Sequence, residues 1–192
     1  MKILAVQSRM GIGDTVIFLP FMKALFKKFN SPISILVKEN SKANQYLHQT
    51  KYIDKILTLE RDNKTNNRHG GFFGIFKLAN DLKKYKFDKI FIFNSSLRFN
   101  LVAKISGIPQ IYQYPLFAKN KQHIVEAPKK FLKKNLDLDI NEDPEVQIDS
   151  DLISKAAQKF QIDKNTTNIL LGIGGSGPTK RIPGKTFLSV ID

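Results

Sequence analysis

Two glycine-containing stretches carry residues whose types and spacing could do chemistry. The first, Arg9-Met-Gly-Ile-Gly-Asp14, follows a short apolar run at residues 2–7 and precedes apolar residues at helical spacing. It therefore predicts a strand-to-helix turn, in which Gly11 and Gly13 allow the backbone to bend sharply. Asp14 stands where the helix begins, so its carboxylate either caps the free N–H groups of the first turn or points into a cleft and takes a proton from a bound molecule.

The second stretch, Gly174-Gly-Ser-Gly-Pro-Thr-Lys180, follows an apolar run at residues 168–173 that predicts another strand. Its backbone N–H groups, the Ser176 hydroxyl and the Lys180 ammonium could converge on a diphosphate. The alternative is a flexible turn with a solvated lysine. Gly184-Lys-Thr186 also resembles the end of a P-loop, but the glycine that this pattern requires upstream is missing, so a P-loop phosphotransferase is the weakest hypothesis.

Strand and helix patterns alternate along the first three quarters of the chain. The predicted strands cover residues 2–7, 31–38, 52–59, 86–93 and 110–114. After the helix that follows Asp14, the predicted helices cover residues 41–49, 72–85, 97–105, 123–136 and 151–160. This alternation predicts an α/β fold, a Rossmann-like parallel sheet with helices on both faces.

The predicted sheet brings two polar segments to one edge. Ligands of such sheets bind at the carboxyl ends of the strands. The turn at residues 9–14 and the segment Asn94-Ser-Ser-Leu-Arg98 each follow a predicted strand, so we expect them to face one crevice.

An acidic segment at residues 136–147 lacks periodicity, contains Pro144 and predicts a linker. We therefore expect a first domain at residues 1–148. Residues 149–192 would then hold a linker helix and the first strand, loop and helix of a second, incomplete domain.

Three polar residues in predicted loops receive non-catalytic interpretations. His69 lies in a polar, glycine-rich loop and is predicted to be solvated. Asp137 and Asp139 have the spacing of a metal-binding acidic pair, but two acids in a solvated linker are the better interpretation.

The helix at residues 72–85 is expected to bury one apolar face against the sheet. The residues expected on that face are Phe73, Phe76, Leu78 and Leu82.

Composition excludes several classes of function. The 192 residues include no cysteine, which rules out disulfides and thiol catalysis, and the three histidines are too scattered to suggest a metal site. The formal net charge of +14 fits phosphorylated small molecules, an anionic membrane face or nucleic acid. No single element concentrates basic and aromatic residues, so we do not expect a nucleic-acid partner. The sequence shows no signal peptide and no apolar run long enough to span a membrane, so we expect a cytoplasmic protein.

Four short motifs along the chain resemble the motifs of one family, in the same order. Gly11-Ile-Gly-Asp-Thr-Val-Ile-Phe-Leu-Pro20 resembles an opening G-D-x-x-x-x-x-P motif, and residues 94–109 resemble an N-S-x-[RK] helix that ends in A-G-I-P. His123-Ile-Val-Glu126 is similar to H-x-V-E, and residues 176–183 resemble H-P-G-A-x-x-x-x-K-x-W-P. The family is glycosyltransferase family 9, the lipopolysaccharide heptosyltransferases.

This resemblance implies a two-domain enzyme of the GT-B type, in which the first Rossmann-like half binds the acceptor and the second binds a nucleotide-diphosphate sugar, ADP-heptose. It implies that Asp14 is the general base, that Ser176 and Lys180 bind the donor diphosphate, and that Gly13 and Arg98 contact the acceptor. Direct displacement would invert the anomeric centre, without a metal or a cofactor. The implied acceptor is an anionic glycolipid of the lipopolysaccharide core, with peripheral association at the cytoplasmic face of the inner membrane.

The family's D-T-G-x-x-H segment, which contacts the donor nucleotide, has no counterpart in this sequence. We therefore expect the C-terminal domain to be truncated and the chain to be part of a longer protein, inactive by itself. The alternative is a non-catalytic module that binds an anion or a glycan and lacks a donor site.

Overall fold

Five parallel strands form a single sheet in the computed structural model, which describes residues 1–8, 11–61, 67–116, 123–163, 165–172 and 181–191. The strands are β1 (Ile3–Val6), β2 (Ile33–Lys38), β3 (Ile53–Leu59), β4 (Lys89–Ile92) and β5 (Gln110–Gln113). Their order across the sheet is β3-β2-β1-β4-β5, and every neighbouring pair is parallel. The predicted Rossmann-like fold is confirmed.

Helices at residues 12–136 cover both faces of the sheet. They are α1 (Ile12–Ile17), α2 (Leu19–Phe29), α3 (Phe73–Lys83), α4 (Leu97–Ile105) and α5 (Glu126–Leu136). Two further helices, α6 (Ser150–Lys159) and α7 (Gly184–Ile191), follow in the chain. None of the described helices is long and apolar enough to cross a membrane. The chain divides into two compact units, Met1–Ile148 and Asp149–Asp192.

Successive residues of each strand enter two separate hydrophobic clusters, as the period of two in a β-strand requires. Ile3 and Ala5 of β1 lie in the cluster that α2 and α5 cover, whereas Leu4 and Val6 lie in the cluster that α3 and α4 cover. Because both faces are buried, β1 reads as a continuous apolar run and not as an alternating pattern.

Pro20 divides the first predicted helix into α1 and α2. It lies in the first turn of α2, where a missing N–H costs no helical hydrogen bond. Phe18 lies between the two helices, as the C-cap of α1 and the N-cap of α2. Its ring packs edge-on against Phe21 and Phe93 in the core. The break therefore fixes the direction of α2 across the sheet.

The predicted helix at residues 41–49 is wrong. Two short 3₁₀ turns, Glu39–Ser41 and Ala43–Gln45, occupy this connection. Lys42 separates them with a φ of 50°, a left-handed conformation that an α-helix cannot continue through.

The buried face of α3 also differs from the prediction. Leu78 and Leu82 are buried as expected, but Phe73 and Phe76 are 76% and 48% exposed. Gly74 faces inward in their place, so close to the backbone of His69 that a Cβ there would overlap the His69 carbonyl group. This close approach decides which side of the helix meets the sheet.

Residues 137–148 form no regular element, as predicted, but they are not a free linker. Ile140 is buried in the α2 side of the core, and Glu142 pairs with Lys23 (2.9 Å) and Lys27 of α2. Hydrogen bonds from these two lysines lower the pKa of Glu142. The segment is therefore fastened along α2.

In the second unit, the described residues 165–172 contain no strand, so the predicted strand at residues 168–173 is wrong for the part that is described. Leu170 is 96% exposed. An apolar run forms a strand only beside a partner that takes up its backbone hydrogen bonds, and the described part of this unit holds no such partner.

Candidate active site

The strand order itself indicates where a ligand would bind. Going outward from β1, the chain moves to β2 and β3 on one side and to β4 and β5 on the other. The point between β1 and β4 is a topological switch, and open α/β sheets bind ligands at the carboxyl ends of the strands beside such a point. The residues that follow these two strands, Ser8 and Asn94, therefore mark the candidate site.

A hydrogen-bond network joins the carboxyl ends of three strands at this edge. Asn94 Nδ2 donates to Ser8 Oγ at 2.7 Å, and Asn94 Oδ1 accepts from the Ser96 N–H at 2.6 Å. The Gln113 amide donates to the carbonyls of Asn94 and Ser96, both at 2.9 Å. The expectation that the segments after β1 and β4 meet is thus supported by a direct contact.

The contribution of Gln113 was not predicted from the sequence. It ends β5 and, besides these two bonds, its Oε1 accepts from Asn100 of α4 at 2.9 Å. The only signal in the sequence is a polar residue at the end of a mixed strand, and this is too common a feature to identify a site.

Asp14 lies in the first turn of α1, but it is not the N-cap. Gly11 is the N-cap, and Asp14 reaches back so that its Oδ2 accepts the Gly11 N–H at 3.1 Å. Gln7 Nε2 donates to the Asp14 carbonyl at 3.2 Å, which ties this turn to the end of β1. The side chain is half-buried, and within the described residues its Oδ1 accepts no hydrogen bond. One carboxylate oxygen therefore holds the turn, and the other remains able to accept a proton.

Gly13 is exposed at the same turn. A Cβ at Gly13 would meet no atom within 4 Å, and its φ is not in the left-handed region. The fold does not require a glycine here, so the open space beside Asp14 is available to another molecule. We call Ser8, Gly13, Asp14 and Asn94 the switch-point site.

Arg98 lies in the first turn of α4, where the Ser96 hydroxyl caps the helix by accepting the Arg98 N–H at 3.3 Å. Its guanidinium donates to the carbonyls of Gly71 (2.7 Å) and His69. Arg98 therefore fastens the loop before α3 to α4, a role that its residue type did not reveal. Contact with the acceptor remains a prediction.

His69 is not solvated, which corrects the sequence-based interpretation. It is 3% exposed, and its Nδ1 accepts the Glu60 N–H at 3.0 Å. That bond leaves the proton on Nε2, which donates to Asp81 Oδ2 at 3.0 Å, while Arg68 binds Asp81 Oδ1 at 2.8 Å. We call Glu60, Arg68, His69 and Asp81 the histidine cluster.

Electrostatics support a structural role for this cluster. Burial alone would raise the pKa of Asp81, but hydrogen bonds from His69 and Arg68 outweigh it and hold the pKa below its ordinary value. The cavity beside the cluster has a volume of about 140 Å³ and also touches Leu36 and Leu78, so it lies on the α3 side of the sheet. Both ring nitrogens of His69 are occupied, so it is not available as a base.

The remaining predicted residues give no further site. Ser176 and Lys180 lie outside the described residues. Asp137 and Asp139 both bind Lys133 Nζ, at 2.8 and 2.6 Å, as expected for exposed acids near lysines. Across the described ranges, no group of three or more histidine or acidic residues could hold a metal ion.

Comparison with known proteins identifies the fold. No family model matches the sequence, and no curated protein matches it. The structure is similar to that of the glycosyl transferase family 9 protein from Veillonella parvula, with a TM-score of 0.76 and 19% identity over 100% of this chain and 59% of that chain. It is also similar to E. coli ADP-heptose lps heptosyltransferase II, with a TM-score of 0.57 and 16% identity over 85% of this chain and 52% of that one.

The chain thus spans between half and three fifths of the length of these two proteins. The likeness that the four motifs predicted is confirmed at the level of the fold: the chain has the fold seen in glycosyltransferase family 9 structures.

Proposed function

We propose that this chain belongs to a glycosyltransferase that moves heptose from ADP-heptose to an anionic acceptor of the lipopolysaccharide-core type. In this proposal residues 1–148 bind the acceptor and residues 149–192 begin the donor-binding domain. The observation that carries it is Asp14, at a topological switch point in a fold shared with family 9 structures, with one carboxylate oxygen left unpaired within the described residues.

The chemistry follows from that oxygen. The acceptor hydroxyl gives its proton to Asp14 Oδ1 while its oxygen attacks the anomeric carbon of the donor. The bond from that carbon to the diphosphate breaks, and ADP leaves with the electron pair, so that the anomeric centre is inverted. The bond from Gly11 to Oδ2 keeps the carboxylate oriented during the reaction.

Other residues have supporting roles in the proposal. The open space at Gly13 admits the acceptor next to Asp14. Ser176 and Lys180 hold the donor diphosphate and offset the negative charge that develops as it leaves, so that no metal or cofactor is needed. Arg98, in the first turn of α4 after β4, binds an anionic group of the acceptor.

The decisive experiment uses Asp14→Asn in the full-length protein that carries this chain. An asparagine oxygen still accepts the Gly11 N–H, so the turn is expected to persist, but the amide cannot take a proton. ADP release from ADP-heptose with a phosphorylated core acceptor should fall by about 100- to 10,000-fold in kcat.

Asp54→Asn is the matched control. Asp54 accepts a hydrogen bond from Ser34 on the outer strands, away from the switch point, so this variant should keep wild-type turnover. Near-normal turnover in Asp14→Asn would remove this residue from the mechanism, and the absence of transfer by the wild-type protein would count against the enzyme itself.

A second candidate is a non-catalytic module that binds an anion or a glycan. It is favoured by the first unit, which by itself holds the whole described sheet and the network around Asn94. Acceptor binding by the 192-residue chain, measured by calorimetry, is expected under both proposals. Transfer by the full-length protein would refute the module.

A further inference from the structure

Helix α5 forms one wall of a groove that is rich in lysine. Lys129, Lys130, Lys133 and Lys134 line it, together with residues 138–141 of the segment that follows the helix. The groove has a volume of about 370 Å³, which lies within the range of pockets that hold small ligands. We call these lining residues the lysine groove.

The fold holds the two walls of the lysine groove together. Asp137, the C-cap of α5, has a φ of 55°, so the chain turns back beside the helix. Ile140 is 6% exposed and anchors the returning segment in the core. Lys133 binds Asp137 and Asp139 at 2.8 and 2.6 Å, which ties the helix to this segment. The core and these ion pairs therefore fix the position of both walls.

The charge of the lysine groove is not balanced. Its lining contains four lysines and one aspartate, a net charge of +3. The aspartate, Asp139, is paired with Lys133. Lys129, Lys130 and Lys134 make no ion pair within the part of the chain that the structure describes. Lys134 lies one helical turn after Lys130, and like charges at this spacing destabilise a helix, so an anion bound among these ammonium groups would remove a repulsion.

The helix dipole accounts for only two of the four lysines. Cations in the last turn of a helix interact favourably with its negative end, which explains Lys133 and Lys134. Lys129 and Lys130 precede the last turn, and the effect of the dipole does not extend that far. Neither the dipole nor solvation of a basic face requires a cavity beside the lysines, whereas binding of an anion does.

We propose that the lysine groove binds a compact anion with linked phosphate groups, a diphosphate or a triphosphate. A single phosphate carries about two negative charges near neutrality, so linked phosphates match three unpaired ammonium groups better. Lysine binds phosphate as a point charge without a fixed geometry, so this groove selects its ligand by charge more than by shape. The stems of the lysines and the half-buried Leu138 form its apolar part.

The lysine groove lies apart from the switch-point site. The pKa of Asp137, at the end of α5, is lowered by Lys133 and also by Lys28 in the last turn of α2. Because α2 ends just before β2 begins, this end of α5 lies at the amino edge of the sheet, whereas the switch-point site lies at the carboxyl edge. The inference uses neither Asp14 nor the donor loop, so it does not depend on the proposed function.

Calorimetric titration of the 192-residue chain with inorganic triphosphate tests the proposal. Triphosphate should bind about ten times more tightly than orthophosphate, because it offers more charge to the same ammonium groups. Lys130→Glu with Lys134→Glu should weaken triphosphate binding by about tenfold or more, because attraction is replaced by repulsion. Lys77→Glu with Lys83→Glu, an equal change of charge on α3, is the matched control and should have little effect.

Two further measurements locate the bound anion. Lys180→Gln removes the lysine proposed to bind the donor diphosphate, and it should leave the affinity for triphosphate unchanged. In the wild-type chain, triphosphate should slow the acetylation of Lys129, Lys130 and Lys134 but not that of Lys77. The acetylation result does not depend on any substitution, so it tests the proposal even where a variant fails to fold.

Thermal unfolding provides an independent readout of binding. The substituted lysines of α5 and α3 are all exposed, so both pairs of variants should fold. Triphosphate should raise the Tm of the wild type and of the α3 variant, because a ligand that binds the folded state stabilises it. The Tm of the α5 variant should not respond.

The proposal would be overturned if triphosphate did not bind, or if the α5 and α3 pairs lost affinity equally, since equal losses indicate attraction by net charge alone. Loss of binding in Lys180→Gln, with no loss in the α5 variant, would assign the anion to the glycine-rich loop. A single-stranded oligonucleotide that bound more tightly than triphosphate, and lost affinity in the α5 variant, would assign the groove to nucleic acid instead.

Discussion

The switch-point site and the histidine cluster both contain an aspartate that accepts hydrogen bonds, but the two aspartates are satisfied to different degrees. Asp81 has both oxygens bound, to His69 and Arg68, and it lies against a buried ring. Asp14 has one oxygen bound to the Gly11 N–H and a second without a partner among the described residues. A carboxylate with both oxygens hydrogen-bonded stabilises the fold, whereas a carboxylate with only one bonded oxygen can still react with a bound molecule.

Apart from the loss of turnover expected for Asp14→Asn, the largest change should be the loss of stability in Gly74→Ala. The new methyl group would overlap the His69 carbonyl and lie 2.8 Å from Arg98 Nη2. We expect a loss of about 3 kcal/mol in the free energy of unfolding, because backbone must move to relieve the overlap. Urea unfolding measures it, with Gly13→Ala as the control glycine that has open space around it.

The next largest change in stability should distinguish the role of Asp81 from that of Asp14. Asp81→Asn should lower the free energy of unfolding by about 2 kcal/mol, because it weakens charge-assisted hydrogen bonds to His69 and Arg68. Asp14→Asn should change it by less than about 0.5 kcal/mol, because its one bond is retained. Equal losses of stability in the two variants would show that the comparison between the sites is wrong.

The contribution of Asp81 to the stability of the fold should depend on pH. Its pKa is lowered in the folded state, so the ion pair stabilises the fold above the ordinary carboxyl pKa, and that contribution is lost as the pH falls through the folded-state pKa. The difference in unfolding free energy between wild type and Asp81→Asn should therefore be constant near neutrality and shrink below about pH 4. A difference that grows on acidification would contradict the assignment.

The smallest expected effect concerns Gly13. Gly13→Ala should leave the unfolding free energy within about 0.5 kcal/mol of wild type, because the methyl group meets no atom of the chain. If the acceptor occupies that space, KM for the acceptor should rise several-fold while KM for the nucleotide sugar stays unchanged. An unaltered acceptor KM would place the acceptor elsewhere.

Elements with strong local signals could be predicted from the sequence. The helix at residues 97–105 was predicted with its observed bounds, because Gly107 and Pro109 follow its end. The structure adds that the Ser96 hydroxyl caps its start. The apolar run at residues 2–7 predicted a buried strand, which β1 confirms.

Residues whose environment comes from distant parts of the chain were misassigned. His69 looked solvated because its partners, the Glu60 N–H and the Asp81 carboxylate, are brought to it only by folding. Phe73 and Phe76 fitted the apolar period of a helix, but the close approach of Gly74 to the His69 backbone turned them outward.

The sequence by itself determined the alternation of strands and helices, because burial on both faces of a parallel sheet imposes continuous apolar runs that are visible residue by residue. It also placed Asp14 at the first turn. Only the tertiary structure decided that Asn94 meets Ser8 and that His69 is buried. Those outcomes depend on contacts between segments far apart in the chain, and local patterns of hydrophobicity carry no information about which polar groups such contacts will satisfy.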